Sequence, residues 1–243
     1  MIFDPPLIKG KLIKRYKRFL ADIVLEDGEE ITAHCANTGA MTGCAPGGAA
    51  VWLSVSDNPK RKYPHSWQLV ELKPGMLACI NTGVTNKIAL EAIQNRQITE
   101  LNGFIECRSE VPYGEEKSRI DFLLTYPDQQ QAYVEVKHVT LSLQEGVGRF
   151  PDAVTKRGQK HLRELIQQVK SGYRAVLLFI IMRTDVNLVS PADSVDAEYG
   201  QLLREAVREG VEVLAYGTKI DQDGMLVNQA IPVKIPRLDF RVK

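Results

Sequence analysis

The chain of 243 residues predicts two units in series: an all-β unit of barrel type, then an α/β unit with a mixed central sheet. Three observations predict this. The N-terminal third carries short apolar runs parted by turn signals. The remainder alternates strand-like and helix-like segments in the order β-α-β-α-β, which packs helices on a sheet with parallel members. Residues 175–182 form a continuous apolar run, as a strand buried on both faces requires.

In the first unit, residues 7–16, 19–26 and 30–37 alternate or bunch apolar side chains, and Asp27-Gly28 is a hairpin dipeptide between the last two. Residues 50–56 and 68–72 are further strand candidates, and Pro74-Gly75 turns the chain into residues 76–81. Short strands with tight turns predict a small closed barrel, because closure removes exposed edges. An OB-type barrel fits, and strand count alone does not separate it from an SH3-like one. The boundaries predicted are 1–81 for a nucleic-acid-binding barrel and 82–243 for the α/β unit.

In the second unit Thr85 is positioned to cap a helix over residues 87–95, with Ile88, Ala89, Ala92 and Ile93 on one side. Strands are expected at 103–111, 118–125 and 132–143, and a long helix over 152–170 with Leu162, Leu165, Ile166 and Val169 as its apolar stripe. A helix over 196–208 stops at Gly210. A strand at 211–216 follows, and Asp223-Gly224 turns into a last segment, 225–235. The tail after Ile235 has no clear pattern and is expected to be loose.

Composition narrows the function classes. The hydrophobic fraction of 44% and charged fraction of 25% are those of a soluble globular protein, and the net charge of +1 gives no global field toward nucleic acid. Attraction must come from local patches. Cys35, Cys44, Cys79 and Cys107 form no C-x-x-C pair, which argues against structural zinc, and a chain able to build real cores does not call for a disulfide framework. The N-terminus has no apolar leader core, and no run is long enough to span a bilayer, so the expected location is cytoplasmic with no membrane partner.

The chemistry concentrates between Asp121 and Lys137. Glu135 and Lys137 are two apart on a predicted strand and share a face, amid apolar Val134, Val136 and Val139. Asp121 is flanked by Ile120, Phe122, Leu123 and Leu124. Acids in such surroundings cost free energy unless compensated, and a bound Mg²⁺ or Mn²⁺ would compensate them. A metal-bound water could then attack a phosphodiester, with Lys137 orienting it or neutralising charge. The alternative is a solvated Glu-x-Lys pair on an outer face.

Two basic regions stand beside this site. Arg157 and His161 are four apart on the long helix, with Lys156, Lys160 and Arg163 nearby, and Gly158 would let that helix approach the sheet or a phosphate closely. Arg157, Lys160 and His161 are the candidate phosphate contacts. In the barrel, Lys9, Lys11, Lys14, Arg15, Lys17 and Arg18 contain no acid among them, and Tyr16 and Phe19 interleave aromatics, a pattern suited to nucleic-acid backbone. Lys60-Arg61-Lys62 with Tyr63, His65 and Trp67 is a second such loop. Asn37-Thr38-Gly39 and Asn81-Thr82-Gly83 repeat one motif, as phosphate cradles or as plain turns.

Asp121, Glu135-Val136-Lys137 and the order helix, hairpin, helix resemble the PD-(D/E)xK nuclease superfamily core. The whole chain more closely resembles the sugar fermentation stimulation protein A family, through CANTGAMTG (35–43), INTGVTNKIALEAI (80–93), SRIDFLL (118–124), YVEVKHVTL (133–141) and FPDAVTKRGQKHLREL (150–165). The resemblance implies an N-terminal OB-like barrel joined to a restriction-endonuclease-like α/β domain. It also implies sequence-nonspecific DNA binding and a regulatory link to sugar (maltose) metabolism. Carried over by position, Asp121 and Glu135 match the metal ligands, Lys137 the catalytic lysine, and Glu91 lies in the helix that often supplies another acid. Ile120 stands where proline often precedes the Asp, and the Gln-x-x-x-Tyr element of some branches is missing, departures that bear on catalysis.

Three functions compete: a DNA-binding regulator of nuclease-like fold, an active Mg²⁺- or Mn²⁺-dependent nuclease, and a sugar-binding or assembly module with a vestigial site. DNA, single- or double-stranded, is the expected partner, and a homo-oligomer is compatible with the sequence.

Overall fold

The computed structural model describes residues 1–236, so the tail expected to be loose lies, past Pro236, outside the described residues. Strands β1 (Ile8–Tyr16), β2 (Leu20–Leu25), β3 (Glu30–Cys35), β4 (Ala50–Val55) and β5 (His65–Lys73) lie in the order β3-β2-β1-β4-β5. β3 then pairs in parallel with β5, His34 against Ser66 and Cys35 against Trp67, and the barrel closes. Five strands in this Greek-key order are the OB arrangement, which resolves the choice left open between barrel types. Leu12, Ile23, Val51, Leu53 and Trp67 fill the interior. The Trp67 indole N–H donates to the Leu69 carbonyl at 2.8 Å, so no buried donor is stranded. Gly10 is required by crowding: a Cβ there would lie 2.6 Å from Ile23 Cγ2 and 2.9 Å from the Val24 carbonyl oxygen.

Strand β6 (Met76–Cys79) pairs with β5 and leaves the barrel, and a short 3₁₀ turn leads into helix α1 (Thr85–Gln94). Then come β7 (Glu106–Tyr113), β8 (Ser118–Thr125), β9 (Gln131–Val139), β10 (Leu141–Gln144), β11 (Gly146–Phe150) and α2 (Lys156–Lys170). The chain continues through β12 (Arg174–Ile181), β13 (Val186–Pro191), α3 (Ala197–Glu209), β14 (Glu212–Ile220) and β15 (Met225–Ala230). The main sheet runs β15-β14-β12-β9-β8-β7, with β9, β12 and β14 parallel and the flanking pairs antiparallel. That is the mixed sheet expected.

Strand β12 shows why its sequence is uniformly apolar. Ala175, Leu177, Phe179 and Ile181 face the α2 and α3 layer, and Val176, Leu178, Ile180 and Met182 face α1. The α1 core also takes in Trp52, Leu69 and Cys79 from the barrel side. The Cys79 amide donates to the Met182 carbonyl and the Thr184 amide to the Leu77 carbonyl, both at 2.9 Å, so backbone ties as well as packing join the two units.

Several expectations shift. Thr85 is the first helical residue rather than the cap; the Asn81 side chain caps the preceding turn by accepting the Gly83 N–H. α2 begins at Lys156, later than 152, because Thr155 is its N-cap and accepts the Gly158 N–H. The run 132–143 breaks into β9 and β10, and β10, β11 and β13 form a small second sheet that was not anticipated. Its strands are only four to six residues long, and β11 carries Gly146 and Gly148, so none stands out as a separate strand. The last segment ends as a strand at Ala230. α3 runs one residue later than expected at each end, because Asp196 is its N-cap and accepts the Tyr199 N–H, and Gly210 at φ 102° stops it as expected.

Both Asn-Thr-Gly segments are Asx turns: Asn37 Oδ1 accepts the Gly39 N–H at 2.8 Å and Asn81 Oδ1 the Gly83 N–H at 2.9 Å. Each follows a cysteine by two residues, and the thiols of Cys35 and Cys79 lean on the carbonyls of Asn37 and Asn81. The repeat is therefore C-x-N-T-G. Thr82 Oγ1 donates to the Ala36 carbonyl at 3.1 Å, so the two turns abut. All four cysteines are free thiols, and burial pushes Cys79 up to about 12. No helix of the described residues is long and apolar enough to cross a membrane.

Candidate metal centre

The site forms where β8 and β9 part. Their regular pairing ends at Phe122 against Val134. Side-chain alternation breaks at the same place, because Ile120 and Leu123 both enter the α2-side core while Phe122 enters the α1-side core. Beyond the last pair, the Val136 N–H finds the Asp121 carboxylate in place of a strand carbonyl, at 2.7 Å. The other Asp121 oxygen accepts the Asn86 amide from α1 at 2.7 Å.

On β9, Glu135 and Lys137 face α2, opposite Leu177 and Phe179 of β12. They are not a solvated pair: Glu135 is 2% exposed. Glu135 Oε1 accepts from Lys137 Nζ at 2.5 Å and from His161 Nδ1 on α2. Lys137 Nζ also lies 3.1 Å from His161 Nδ1. Glu135 Oε2 is buried with no hydrogen-bond partner. A carboxylate oxygen so placed costs free energy unless something positive meets it.

The two carboxyls are pushed apart in acidity. Burial raises Asp121, the Glu135 charge raises it further, and the Val136 N–H, Lys137 and Asn86 only partly oppose this. Burial also raises Glu135, but the Lys137 ammonium and His161 outweigh it, and the net shift is downward. Burial and the charges of Glu135, Glu164 and Asp121 hold the Tyr113 hydroxyl well above its ordinary value, and that hydroxyl too has no partner.

Among the described residues no three His, Cys, Asp or Glu side chains converge as a ready-made metal cage. The donor set is two carboxylates, with one orphaned oxygen. That fits a hard divalent ion such as Mg²⁺, which is commonly held through one or two carboxylates and keeps several waters.

The remaining candidates divide. His161, expected as a phosphate contact, is buried and bonded to Glu135, so it belongs to the acidic pair instead. Arg157 Nε donates to His161 Nε2 at 3.4 Å and sits beside the site. Lys160 donates to the Glu116 carbonyl in the β7–β8 turn. Glu91 is not brought to the pair: its carboxylate takes the Met1 amino group at 2.8 Å. α1 presents Asn86 to Asp121 in its place. Gly158 approaches neither sheet nor open surface; a Cβ there would lie 3.1 Å from Tyr199 of α3.

In the barrel, Arg15 is spent on the carbonyls of Arg18, Asn37, Gly39 and Ala40, and Arg18 on that of Thr38. These two hold a loop. Lys9 and Lys11 point outward, Lys9 lying over the Trp52 ring at 5.6 Å. Lys14 lies 3.7 Å from Asp22 and also covers Tyr16, while Lys17 is exposed. Sequence reasoning missed Asn86, Tyr113 and Glu164. Glu164 lies off the apolar stripe of α2, so the periodicity did not mark it either.

Comparison with known proteins places these features. The family model described as the sugar fermentation stimulation protein RE domain matches residues 83–224, and that of the SfsA N-terminal OB domain matches residues 13–80. Among solved structures, Pyrococcus furiosus SfsA in complex with Ca²⁺ is similar over 97% of this chain and 98% of that one, with 26% identity and a TM-score of 0.86. An EndoMS complex with double-stranded DNA aligns over 90% of this chain and 87% of that one, at 15% identity and a TM-score of 0.35. A repair endonuclease from Pyrococcus abyssi aligns over 87% and 85%, at 12% identity and 0.31. The last two likenesses are too slight to bear on function.

Proposed function

The chain belongs to the sugar fermentation stimulation protein family, and on that premise we propose that it binds nucleic-acid backbone and holds a divalent cation, Mg²⁺ or Mn²⁺, at Asp121 and Glu135. The observation that carries the metal reading is Glu135 Oε2, buried and unpartnered beside a second carboxyl raised by burial and by its neighbour's charge. The relative solved with Ca²⁺ supports it, since Ca²⁺ and Mg²⁺ both take oxygen ligands.

A bound divalent ion would polarise a phosphoryl oxygen and lower the pKa of a coordinated water. The chain's own groups supply the rest. Lys137 has three N–H donors and gives one to Glu135 Oε1, and the His161 Nδ1 beside it is itself a donor to Glu135, so donors remain on Lys137 for an incoming anionic oxygen. His161 holds Glu135 from the α2 side and Arg157 stands next to it, while Asn86 and the Val136 N–H fix Asp121. Lys9, Lys11, Lys14 and Lys17 are the barrel cations offered to the backbone. Arg15 and Arg18 act on the loop they hold.

A second reading, metal-dependent cleavage of phosphodiesters, is favoured by one observation: Asp121 accepts the N–H of Val136, which lies in the strand between the paired Glu135 and Lys137. Incubation of the purified protein with Mg²⁺ or Mn²⁺ and single-stranded, duplex and branched DNA, beside Asp121→Ala, tests both. Binding that weakens with salt is expected for every substrate, by roughly −0.9 in log–log slope per phosphate neutralised on duplex. A metal-dependent nick absent from Asp121→Ala establishes cleavage. Salt-independent binding, or none, contradicts the nucleic-acid role. A regulatory link to maltose metabolism is proposed on family grounds alone. Saturable heat on titration with maltose would favour the sugar-binding alternative.

A further inference from the structure

The turn between β7 and β8, residues 114–117, is seated on α2 by two separate sets of contacts. Beneath it lies Glu164, 3% exposed, whose carboxylate accepts the N–H of Glu116 at 2.6 Å and of Glu115 at 3.2 Å. Gly114, at φ +73°, passes so close that a Cβ would fall 1.8 Å from Glu164 Oε2. These contacts fix the turn through its backbone. They leave the Glu116 side chain to a second task.

That side chain takes both arms of Arg163, Nε and Nη2, at 3.0 Å each, while the Glu116 carbonyl accepts from Lys160 Nζ. A guanidinium fork closed on two carboxylate oxygens is the geometry in which Arg also grips a phosphate. Arg163 and Glu116 are 45% and 43% exposed, and ion pairs so open to water contribute little net stability. Exchange of this carboxylate for another anion is therefore inexpensive, and the turn keeps its Glu164 anchor. The place is apt, because Lys160 directly precedes His161, which is bonded to Glu135.

We infer that Arg163 and Lys160 form an anion subsite for a backbone phosphate of bound nucleic acid, with Glu116 as its resident competitor. A phosphodiester oxygen takes the Arg163 fork and the Lys160 ammonium, and the Glu116 carboxylate swings into solvent. This rests on the nucleic-acid reading above.

The test is fluorescence anisotropy with a labelled oligonucleotide across a salt series, in EDTA so that the metal site plays no part. Glu116→Gln is expected to bind about 3- to 10-fold tighter than the wild type, with a steeper salt dependence. Glu115→Gln removes the same charge from a side chain without an ion pair among the described residues, and is expected to change affinity by less than about 2-fold. Arg163→Gln added to Glu116→Gln is expected to abolish the gain. Wild-type binding with no gain in Glu116→Gln would overturn the subsite alone. So would an equal gain in Glu115→Gln, which would mark bulk charge, or a gain that survives loss of Arg163. Absence of binding by the wild type and every variant would overturn both the subsite and the nucleic-acid reading.

Discussion

At the scale of single residues the site is a problem of charge placed under a helix. Asp121 is raised by burial and by Glu135. A carboxyl raised in the folded state stabilises the fold only while protonated. That contribution is present below its ordinary value of 3.8 and is lost as pH rises through its higher folded value. Ionised at neutral pH, Asp121 therefore costs stability when no cation is bound. Asp121→Asn keeps one oxygen for the Val136 N–H, and Asn86 can turn its amide over. In EDTA at pH 7 this variant should melt higher than the wild type, by a few degrees if the relief is on the order of 1 kcal/mol. The advantage should vanish toward pH 3 to 4, as thermal melts over pH would show; a lower melting point at pH 7 would refute it. Asp121, Glu135 and Lys137 stood out in the sequence because charged groups stood among apolar neighbours. The role of His161 did not, because the face α2 lays on the sheet depends on the crossover. Glu91 misled for the same reason: its chemistry suits a metal site, but α1 turns Asn86 to Asp121.

At the scale of elements, two predictions concern how strands meet their neighbours. His138 on β9 points away from α2, toward α1, where its Nδ1 lies 2.8 Å from Thr85 Oγ1. Burial lowers it to about 4 from its usual 6.5. The unfolded chain thus takes up a proton as pH falls below 6.5 while the folded chain does not until about pH 4. Stability should fall across that window by ~1.4 kcal/mol per pH unit from this group. His138→Gln should flatten the acid limb of a urea-unfolding series, and an unchanged slope would refute the assignment. In the barrel, Gly10→Ala forces a methyl onto Ile23 and the Val24 carbonyl, at an expected cost of about 1–3 kcal/mol in chemical denaturation. The main elements were legible because burial imposes periodicity: 175–182 is apolar throughout since both its faces are covered. The small sheet of β10, β11 and β13 was not, since strands of four to six residues are too short for a periodicity to stand out.

At the scale of the whole molecule, the barrel and the α/β unit share a core and exchange backbone hydrogen bonds, so cations on the barrel and the acidic pair belong to one connected body. A net charge of +1 means that binding must come from local surfaces, which the salt series reads directly. Lys9→Gln, Lys11→Gln and Lys14→Gln combined should weaken oligonucleotide binding about 10-fold at low salt and shallow its salt slope. Unchanged affinity would assign the contact to the α/β unit. Barrel closure was foreseeable from strand count and turns, whereas its OB type came only through the family resemblance, because the long-range pairing of β3 with β5 leaves no local trace. The central claim is that Asp121 and Glu135 hold a divalent ion, and titration calorimetry of the purified chain with Mn²⁺ tests it most directly. A single saturable site, lost in both Asp121→Asn and Glu135→Gln, is the result predicted. No heat in the wild type, or undiminished binding in the two variants, would contradict it.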